Sequence, residues 1–125
     1  MDRIPCNPDA ADDRPPKQWR LCVLISESLC RSADWLGVAR AAADGGADCI
    51  QLREKFLDGH ELLDRVRRLI KMCRPRGISV IVNDRLDIAL LGGADGVHLG
   101  QTDLPCAETR RLVGRPARGG LIGIS

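Results

Sequence analysis

The sequence has few aromatic residues, little net charge and no long apolar run. Its 125 residues include two Trp, one Phe and no Tyr, and the formal net charge is +2. A nucleic-acid surface usually combines cations with aromatic side chains that stack on bases, and this composition does not favour one. No apolar stretch approaches the ~18 residues of a bilayer span, and the N-terminus lacks the apolar region of a signal peptide. We therefore expect a soluble, cytoplasmic protein with no nucleic-acid and no membrane partner.

Closely spaced cysteine pairs are also missing. The six cysteines are widely and irregularly spaced, and the only two histidines, His60 and His98, are far apart. Zinc sites need closely spaced ligands, and disulfide frameworks belong to small secreted domains, so we expect neither. We predict mostly reduced thiols that act as small apolar side chains, with Cys22, Cys49 and Cys73 on apolar faces.

Short apolar runs alternate with helical patterns over residues 20–125, a length that suits one domain. Residues 1–19 carry four prolines and no periodicity, so we expect a disordered or loosely attached tail. Strands are predicted at 21–25, 47–52, 78–82, 95–99 and 120–124, and helices at about 34–43, 62–73, 85–91 and 105–113. Such alternation predicts right-handed βαβ units around a parallel sheet of about five strands and four helices.

Two segments repeat one pattern. Residues 45–52 and 92–99 both run from two glycines through Ala-Asp into a strand. Such a repeat is expected of a recurring unit in which a helix stops, the chain turns and a strand begins. The repeat gives Gln51 and His98 equivalent positions, on the same side of the sheet.

The helix at 62–73 has the clearest periodicity. Its apolar side chains recur every 3.6 residues and define one buried face. The opposite face carries basic residues, namely Arg65, Arg67, Arg68 and Lys71. A nucleic-acid patch is one interpretation, but without interleaved aromatic residues we favour a solvated helix face.

Two cations follow the second predicted strand. Because strand side chains alternate, Gln51, Arg53 and Lys55 share one face, whereas Leu52 and Glu54 point to the other. Arg offers a planar fork and Lys a point charge, which together suit a diphosphate. Taken alone, these residues are equally well explained as a surface cluster of salt bridges around Glu54.

Carboxylates follow the next two strands. The pair Asn83-Asp84 precedes one predicted helix, and Asp103 precedes the next. Each could cap the helix that follows it. Both also fall at the carboxyl ends of adjacent parallel strands, and two hard oxygen ligands near a phosphate site are the usual way to hold Mg²⁺. We therefore predict a Mg²⁺ site there. We expect His98 to point into the interior and hold a neighbour such as Gln51 rather than to act as a base.

Four segments form an ordered series of motifs. They are QLREK at 51–55, VNDR at 82–85, ADGVHLGQTD at 94–103 and IGIS at 122–125. In this order and spacing they resemble the signatures of thiamine-phosphate synthase, and the resemblance covers about residues 21–125. It implies a (β/α)₈ TIM barrel and a transferase of thiamine biosynthesis. That family joins hydroxymethylpyrimidine diphosphate to a thiazole phosphate, giving thiamine phosphate and pyrophosphate.

The resemblance also implies roles for single residues. It assigns binding of the pyrimidine diphosphate to Gln51, Arg53, Lys55, Asn83 and Ser125. It assigns binding of Mg²⁺ to Asp84 and Asp103. Arg53 and Lys55 are then catalytic because they stabilise the charge of the departing pyrophosphate, and His98 has a supporting role. The related thiazole tautomerase typically lacks the metal aspartates, so their presence favours the synthase.

Five strands make an incomplete barrel, because a (β/α)₈ barrel needs about 200 residues or more. Two alternative functions therefore stay open. One is a noncatalytic fragment that binds pyrimidine diphosphate and Mg²⁺. The other is an interaction module whose exposed strand edge pairs with another chain or with a second copy as a homo-oligomer. We expect the chain alone to be prone to association and to form no thiamine phosphate from the two substrates.

Overall fold

A computed structural model describes residues 19–114 and 120–125. Strands and helices alternate in the order β1 (Cys22–Ile25), α1 (Trp35–Asp44), β2 (Cys49–Leu52), α2 (Gly59–Cys73), β3 (Ser79–Asn83), α3 (Leu86–Gly92), β4 (Gly96–Leu99), α4 (Cys106–Val113) and β5 (Leu121–Ile124). Two short 3₁₀ turns, Glu27–Leu29 and Arg74–Arg76, were not predicted and follow β1 and α2. Each predicted strand and helix is confirmed, whereas the predicted tail lies outside the described residues except for Trp19.

The five strands form one parallel sheet in sequential order, from β1 to β5. Crossovers between parallel neighbouring strands are almost always right-handed, and when all of them join sequential neighbours the helices lie on one side of the sheet. A doubly wound sheet would instead reverse its strand order at a switch point. The arrangement is that of part of a (β/α)₈ barrel wall, with β1 and β5 as the outer strands, and the predicted fold is confirmed.

The apolar core lies between the sheet and the helices. Alternate strand residues face the helices and are buried, namely Ile25, Ile50, Leu52, Val80, Val82, Val97 and Leu99. From α2 come Leu62, Val66, Leu69 and Cys73, which is the stripe that the 3.6-residue period predicted. In the described part of the chain, no helix combines the length and the apolarity needed to cross a bilayer.

Two aspartates at the amino ends of strands hold the register of the sheet. The Asp48 carboxylate, just before β2, accepts hydrogen bonds from the backbone N–H groups of Arg20 and Leu21, each at 2.9 Å. The Asp95 carboxylate, just before β4, accepts one from the N–H of Val80 at 2.8 Å. These aspartates are the equivalent residues of the predicted repeat. The repeat therefore fastens β2 to β1 and β4 to β3 by the same contact.

The five cysteines in the described residues are free thiols. Cys49 and Cys73 are buried, as predicted. Burial, as the largest effect, raises the pKa of Cys73 to about 11, so this thiol stays neutral at physiological pH. Cys22 is exposed on the outer strand β1, and its prediction on an apolar face is wrong.

A close approach between β4 and β5 gives a test of this packing. A Cβ added at Gly96 would lie 2.3 Å from the carbonyl oxygen of Leu121, a backbone atom that moves only if the strands separate. We expect Gly96→Ala to lower the free energy of unfolding by about 1–3 kcal/mol. Gly59→Ala is the control, because the nearest atom there is the mobile end of Arg85 at 3.3 Å. Urea denaturation measures both variants, and equal losses would contradict the close packing at Gly96.

Candidate functional site

The carboxyl ends of four neighbouring strands bring the predicted site residues to one edge of the sheet. Arg53 and Lys55 follow β2, and Asp84 follows β3. Asp103 lies in the loop between β4 and α4, and Ser125 follows β5. The strands are parallel and paired in register, so these loops share one edge although they are distant in sequence.

The side of the sheet that faces away from the helices carries the polar strand residues. Asn83 pairs with His98, and His98 pairs with Gly123. A Cβ at Gly123 would lie 2.6 Å from the His98 Nδ1, so the glycine leaves room for the imidazole ring. Asn83 is 8% exposed and Gln51 is 7% exposed, so both amides are buried.

The expected contact between His98 and Gln51 is absent from the described residues. Gln51 pairs with Ile81, and Ile81 pairs with Gly96. His98 is therefore two residues further along β4 than the position level with Gln51, and β3 lies between them. The prediction treated equivalent positions in the repeat as neighbours. It was wrong about the contact because the sheet staggers the two units.

Arg53, Lys55, Asp84 and Asp103, which follow β2, β3 and β4, are called the charged edge, and Asp84 is its centre. Its Oδ2 lies 3.0 Å from the Lys55 Nζ, and its N–H donates to the His98 carbonyl at 2.8 Å. The backbone at Asp84 has a φ of 67°, in the left-handed region that a residue other than glycine rarely adopts. Such strain is typical of functional sites and persists only where surrounding contacts hold it.

The charge of Asp84 is stabilised by its neighbours. Partial burial acts to raise its pKa. Hydrogen bonds with Lys55 and Asp103 and the positive charges of Lys55 and Arg53 outweigh this effect, and they hold the pKa of Asp84 below its ordinary value of 3.8. Asp84 is therefore a carboxylate at physiological pH and is available to a cation.

Asp103 completes a pair of carboxylates around Gly100. Its Oδ2 accepts the N–H of Gly100 at 2.7 Å. A Cβ at Gly100 would lie 3.2 Å from this oxygen and 4.0 Å from the Asp84 Oδ1. Neither aspartate caps a helix, because α3 and α4 begin without a side-chain cap. The helix-cap interpretation of both residues is therefore wrong.

The donor set fits Mg²⁺ rather than zinc. Within residues 19–114 and 120–125, no group of three or more His, Cys, Asp or Glu side chains could hold a metal ion. A structural zinc site needs four protein ligands of this kind. Mg²⁺ is commonly bound by one or two carboxylates and takes its remaining ligands from water and substrate phosphates. Asp84 and Asp103 supply two such carboxylates.

Ser125 lies at the end of this row of loops. Its N–H donates to the Leu99 carbonyl at 3.1 Å, and the Gln101 side chain donates to the Ser125 carbonyl. These contacts fix the backbone of Ser125 beside the loop that carries Asp103. Ser125 itself is exposed to solvent.

Glu54 points away from the edge, as strand alternation predicted. Its side chain is only 10% exposed, accepts the N–H of Glu27 at 2.6 Å and lies 3.7 Å from the Arg65 Nη1. Lys55 on the other face pairs with Asp84. The interpretation of this segment as a surface cluster of salt bridges around Glu54 is therefore wrong.

Arg65 was predicted on a solvated face, and this prediction was wrong. Its side chain is 9% exposed, and its Nη2 lies 2.9 Å from Glu27 Oε2 and 3.3 Å from Glu61 Oε1. The guanidinium carbon is 5.3 Å from the centre of the Trp35 ring, within range of a cation–π interaction. The other three basic residues of that helix face are exposed, as predicted.

Known proteins are similar to this chain in both sequence and fold. The model of the family "Thiamine monophosphate synthase" matches residues 21–125. The thiamine-phosphate synthase of Methanoculleus marisnigri is 48% identical over 105 residues, which are 84% of this chain and 48% of that protein. The thiamine-phosphate synthase of Moorella thermoacetica is 47% identical over 97 residues, or 78% and 46% of the two chains.

Solved structures include a similar fold. Thiamine phosphate pyrophosphorylase from Pyrococcus furiosus superposes with a TM-score of 0.73 at 31% sequence identity. The match covers 83% of this chain and 48% of that protein. The chain thus spans about half the length of the relatives that it matches.

The Lys55–Asp84 pair gives a prediction about acid titration. Lys55→Met should move the pKa of Asp84 up toward 3.8, because the hydrogen bond and charge that lower it are lost. A depressed folded pKa gives stability that is present above the unfolded pKa and is lost as pH falls through the folded value. The parent should therefore lose more stability than the variant on acidification below about pH 4.

Carboxyl-carbon NMR titration measures the Asp84 pKa directly. Lys71→Met is the matched control, because Lys71 is exposed on α2. An Asp84 pKa that does not change in Lys55→Met, or that changes equally in both variants, would contradict this description of the edge.

Proposed function

The chain belongs to the thiamine monophosphate synthase family, and on that premise we propose that its charged edge binds hydroxymethylpyrimidine diphosphate in the thiamine-phosphate synthase reaction. In that reaction the pyrimidinylmethyl group moves from the diphosphate to a thiazole phosphate, and thiamine phosphate and pyrophosphate form. The supporting observation is the convergence of Lys55, Asp84 and Asp103 at neighbouring strand ends. Cations for an anionic leaving group and carboxylates for a divalent cation lie side by side there.

Arg53 and Lys55 have the catalytic role in this proposal. The bond between the pyrimidinylmethyl carbon and the diphosphate oxygen breaks, and the electron pair leaves with the diphosphate. Positive groups placed where this negative charge develops lower the barrier. Arg53 supplies a planar fork and Lys55 a point charge, so they bind different oxygens of the same group. The chemistry places little demand on a general base, and His98 keeps a supporting role.

Buried amides and the end of β5 position the substrate. Gln51 and Asn83 lie on the face of the sheet that carries His98, where their side chains offer hydrogen-bond donors and acceptors to the pyrimidine diphosphate. Ser125 adds a hydroxyl at the end of β5. These groups orient the substrate so that its diphosphate meets Arg53 and Lys55.

Asp84 and Asp103 are the residues that would hold Mg²⁺. When bound, the ion would neutralise part of the charge on the diphosphate. The protein's own contribution is to keep the Asp84 carboxylate ionised and to place the Asp103 side chain close to it. The lowered pKa of Asp84 and the hydrogen bond from Gly100 to Asp103 support this assignment.

The alternative functions have less support. A fragment that binds the pyrimidine diphosphate without transferring it would use the same residues and differ only in product formation. Pairing of an open strand edge with a second copy or another chain rests on the outer strands, where Leu24 is 55% and Ile124 is 66% exposed. Both alternatives, like the cytoplasmic location, stay predictions.

Removal of either aspartate should abolish the Mg²⁺ dependence of binding. In Asp84→Asn and Asp103→Asn we expect affinity for the pyrimidine diphosphate in saturating Mg²⁺ to fall about tenfold or more, because a hard anionic ligand is lost. Calorimetric titration with and without Mg²⁺ measures this effect. Asp87→Asn is the control, because Asp87 pairs with Arg85 at 2.8 Å on α3. A metal dependence that survives in both site variants would refute the assignment.

Removal of either cation should weaken diphosphate binding directly. A hydrogen bond to a charged group contributes about 1.5–3 kcal/mol, so Arg53→Met and Lys55→Met should each lose about ten- to a hundredfold in affinity. Arg67→Met and Lys71→Met, which remove exposed cations of α2, serve as controls for net charge. If all four variants lose affinity equally, nonspecific charge explains the binding. Chromatographic detection of thiamine phosphate with both substrates then separates transfer from binding alone.

A further inference from the structure

We propose that Arg65 is a positioning residue that holds the segment 53–55 in the conformation in which Arg53 and Lys55 face the charged edge. This inference rests on the proposed function of that edge. Arg65 lies on α2, which covers the opposite side of the sheet, so its role is to hold the cations and not to touch the substrate. Its contacts join four separate parts of the chain.

The contacts around Arg65 hold its guanidinium in one position. Nη2 contacts Glu27 in the turn after β1 and Glu61 on α2, and Nη1 lies 3.7 Å from Glu54. The Trp35 ring of α1 packs over the guanidinium at 5.3 Å. A buried charge costs several kcal/mol unless partners compensate it, so this site exists only while these carboxylates keep their places.

Backbone hydrogen bonds connect this cluster to the segment that carries the cations. The Arg53 N–H donates to the Ile25 carbonyl at 2.9 Å, and the Ser26 Oγ donates to the Arg53 carbonyl at 2.5 Å. The Glu27 N–H donates to Glu54 Oε1 at 2.6 Å. The segment is therefore fastened to the end of β1 at two successive residues, with the Glu54 side chain held on the Arg65 side and the Lys55 side chain paired with Asp84 at the charged edge.

Arg65 is what allows Glu27 and Glu54 to lie together. The Glu27 N–H donates to Glu54 Oε1, and the carboxylates of Glu27, 38% exposed, and Glu54, 10% exposed, both lie within 4 Å of the Arg65 guanidinium, so their like charges are near each other at a partly buried place. The guanidinium between them compensates both charges. Without it, we expect Glu54 to leave its buried position and to turn the neighbouring residues 53 and 55 away from the edge.

Two details favour a geometric role over a stabilising one. Arg65 Nη1 is buried and has no hydrogen-bond partner within the described residues, which lowers its contribution to stability. A cavity of about 220 Å³ borders Arg53, Lys55 and Arg65, so the segment has room to move when the guanidinium is removed. A buried ion pair with these properties is better explained by the conformation it selects than by the stability it adds.

Three variants of the full chain test this role. Arg65→Met removes the charge and keeps an apolar stem, whereas Arg65→Lys keeps the charge and loses the fork. Arg68→Met is the control, because Arg68 lies 5.6 Å from the same Trp35 ring but is 54% exposed. The probe is inorganic pyrophosphate with Mg²⁺, titrated calorimetrically at a temperature where circular dichroism shows each variant folded. Hydrogen exchange at the Glu27 amide reports the cluster without any ligand.

We expect Arg65→Met to lose about tenfold or more in pyrophosphate affinity, Arg65→Lys to lose less, and Arg68→Met to stay within about twofold. Exchange at the Glu27 amide should accelerate in Arg65→Met alone among the Met variants. The double variant Glu54→Gln/Arg65→Met should bind pyrophosphate no more weakly than Arg65→Met, since both changes remove the same interaction between Arg65 and Glu54. A purely stabilising role would lower the melting temperature and leave the affinity of the folded protein unchanged.

Normal affinity in folded Arg65→Met would overturn the proposal, and so would lost affinity without faster exchange at Glu27. If Arg65→Met does not fold, Arg65→Lys takes its place, with a smaller loss of pyrophosphate affinity and with exchange at the Glu27 amide faster than in the parent. If the parent itself does not bind pyrophosphate, the proposed function fails. Exchange then decides the positioning role separately, because acceleration in Arg65→Met but not in Arg68→Met supports it and equal rates overturn it.

Discussion

The register of the parallel sheet is the constraint on which the site depends. The carboxylates of Asp48 and Asp95 fix it at the amino ends of β2 and β4 by accepting N–H groups of the preceding strands. A slip of one residue would shift a strand by ~3.3 Å and turn its side chains to the other face. With the register fixed, the residues that follow β2, β3 and β4 meet at the opposite edge. The repeat thus has a structural role at one end and a functional consequence at the other.

Charges at that edge compensate one another before any ligand binds. Lys55 pairs with Asp84, and Asp103 lies on the other side of the same carboxylate. A diphosphate with a divalent cation presents the complementary charges, because its oxygens suit the cations and its metal suits the carboxylates. The strained backbone at Asp84 is consistent with a position fixed by these contacts rather than by local preference.

Two of the predictions that failed concern contacts between distant parts of the chain. Arg65 sits three residues after Leu62 and four before Leu69, so it borders the apolar stripe of α2, and this spacing was the available signal. Its burial depends on Glu27 and Glu54, whose positions no helical period reveals. The contact expected between His98 and Gln51 failed for a similar reason, since the repeat does not encode the stagger between strands.

The sequence by itself determined the alternation of strands and helices, the buried stripe of α2, the opposite directions of Glu54 and Lys55 and the four ordered motifs of the family. These features follow from local periodicity and spacing, which short segments contain in full. Only the tertiary structure decided that Lys55 pairs with Asp84, that the aspartates meet around Gly100 and do not cap helices, and that Arg65 is buried. Such contacts join segments far apart in the chain, and their distances are set by the register and packing of the whole sheet.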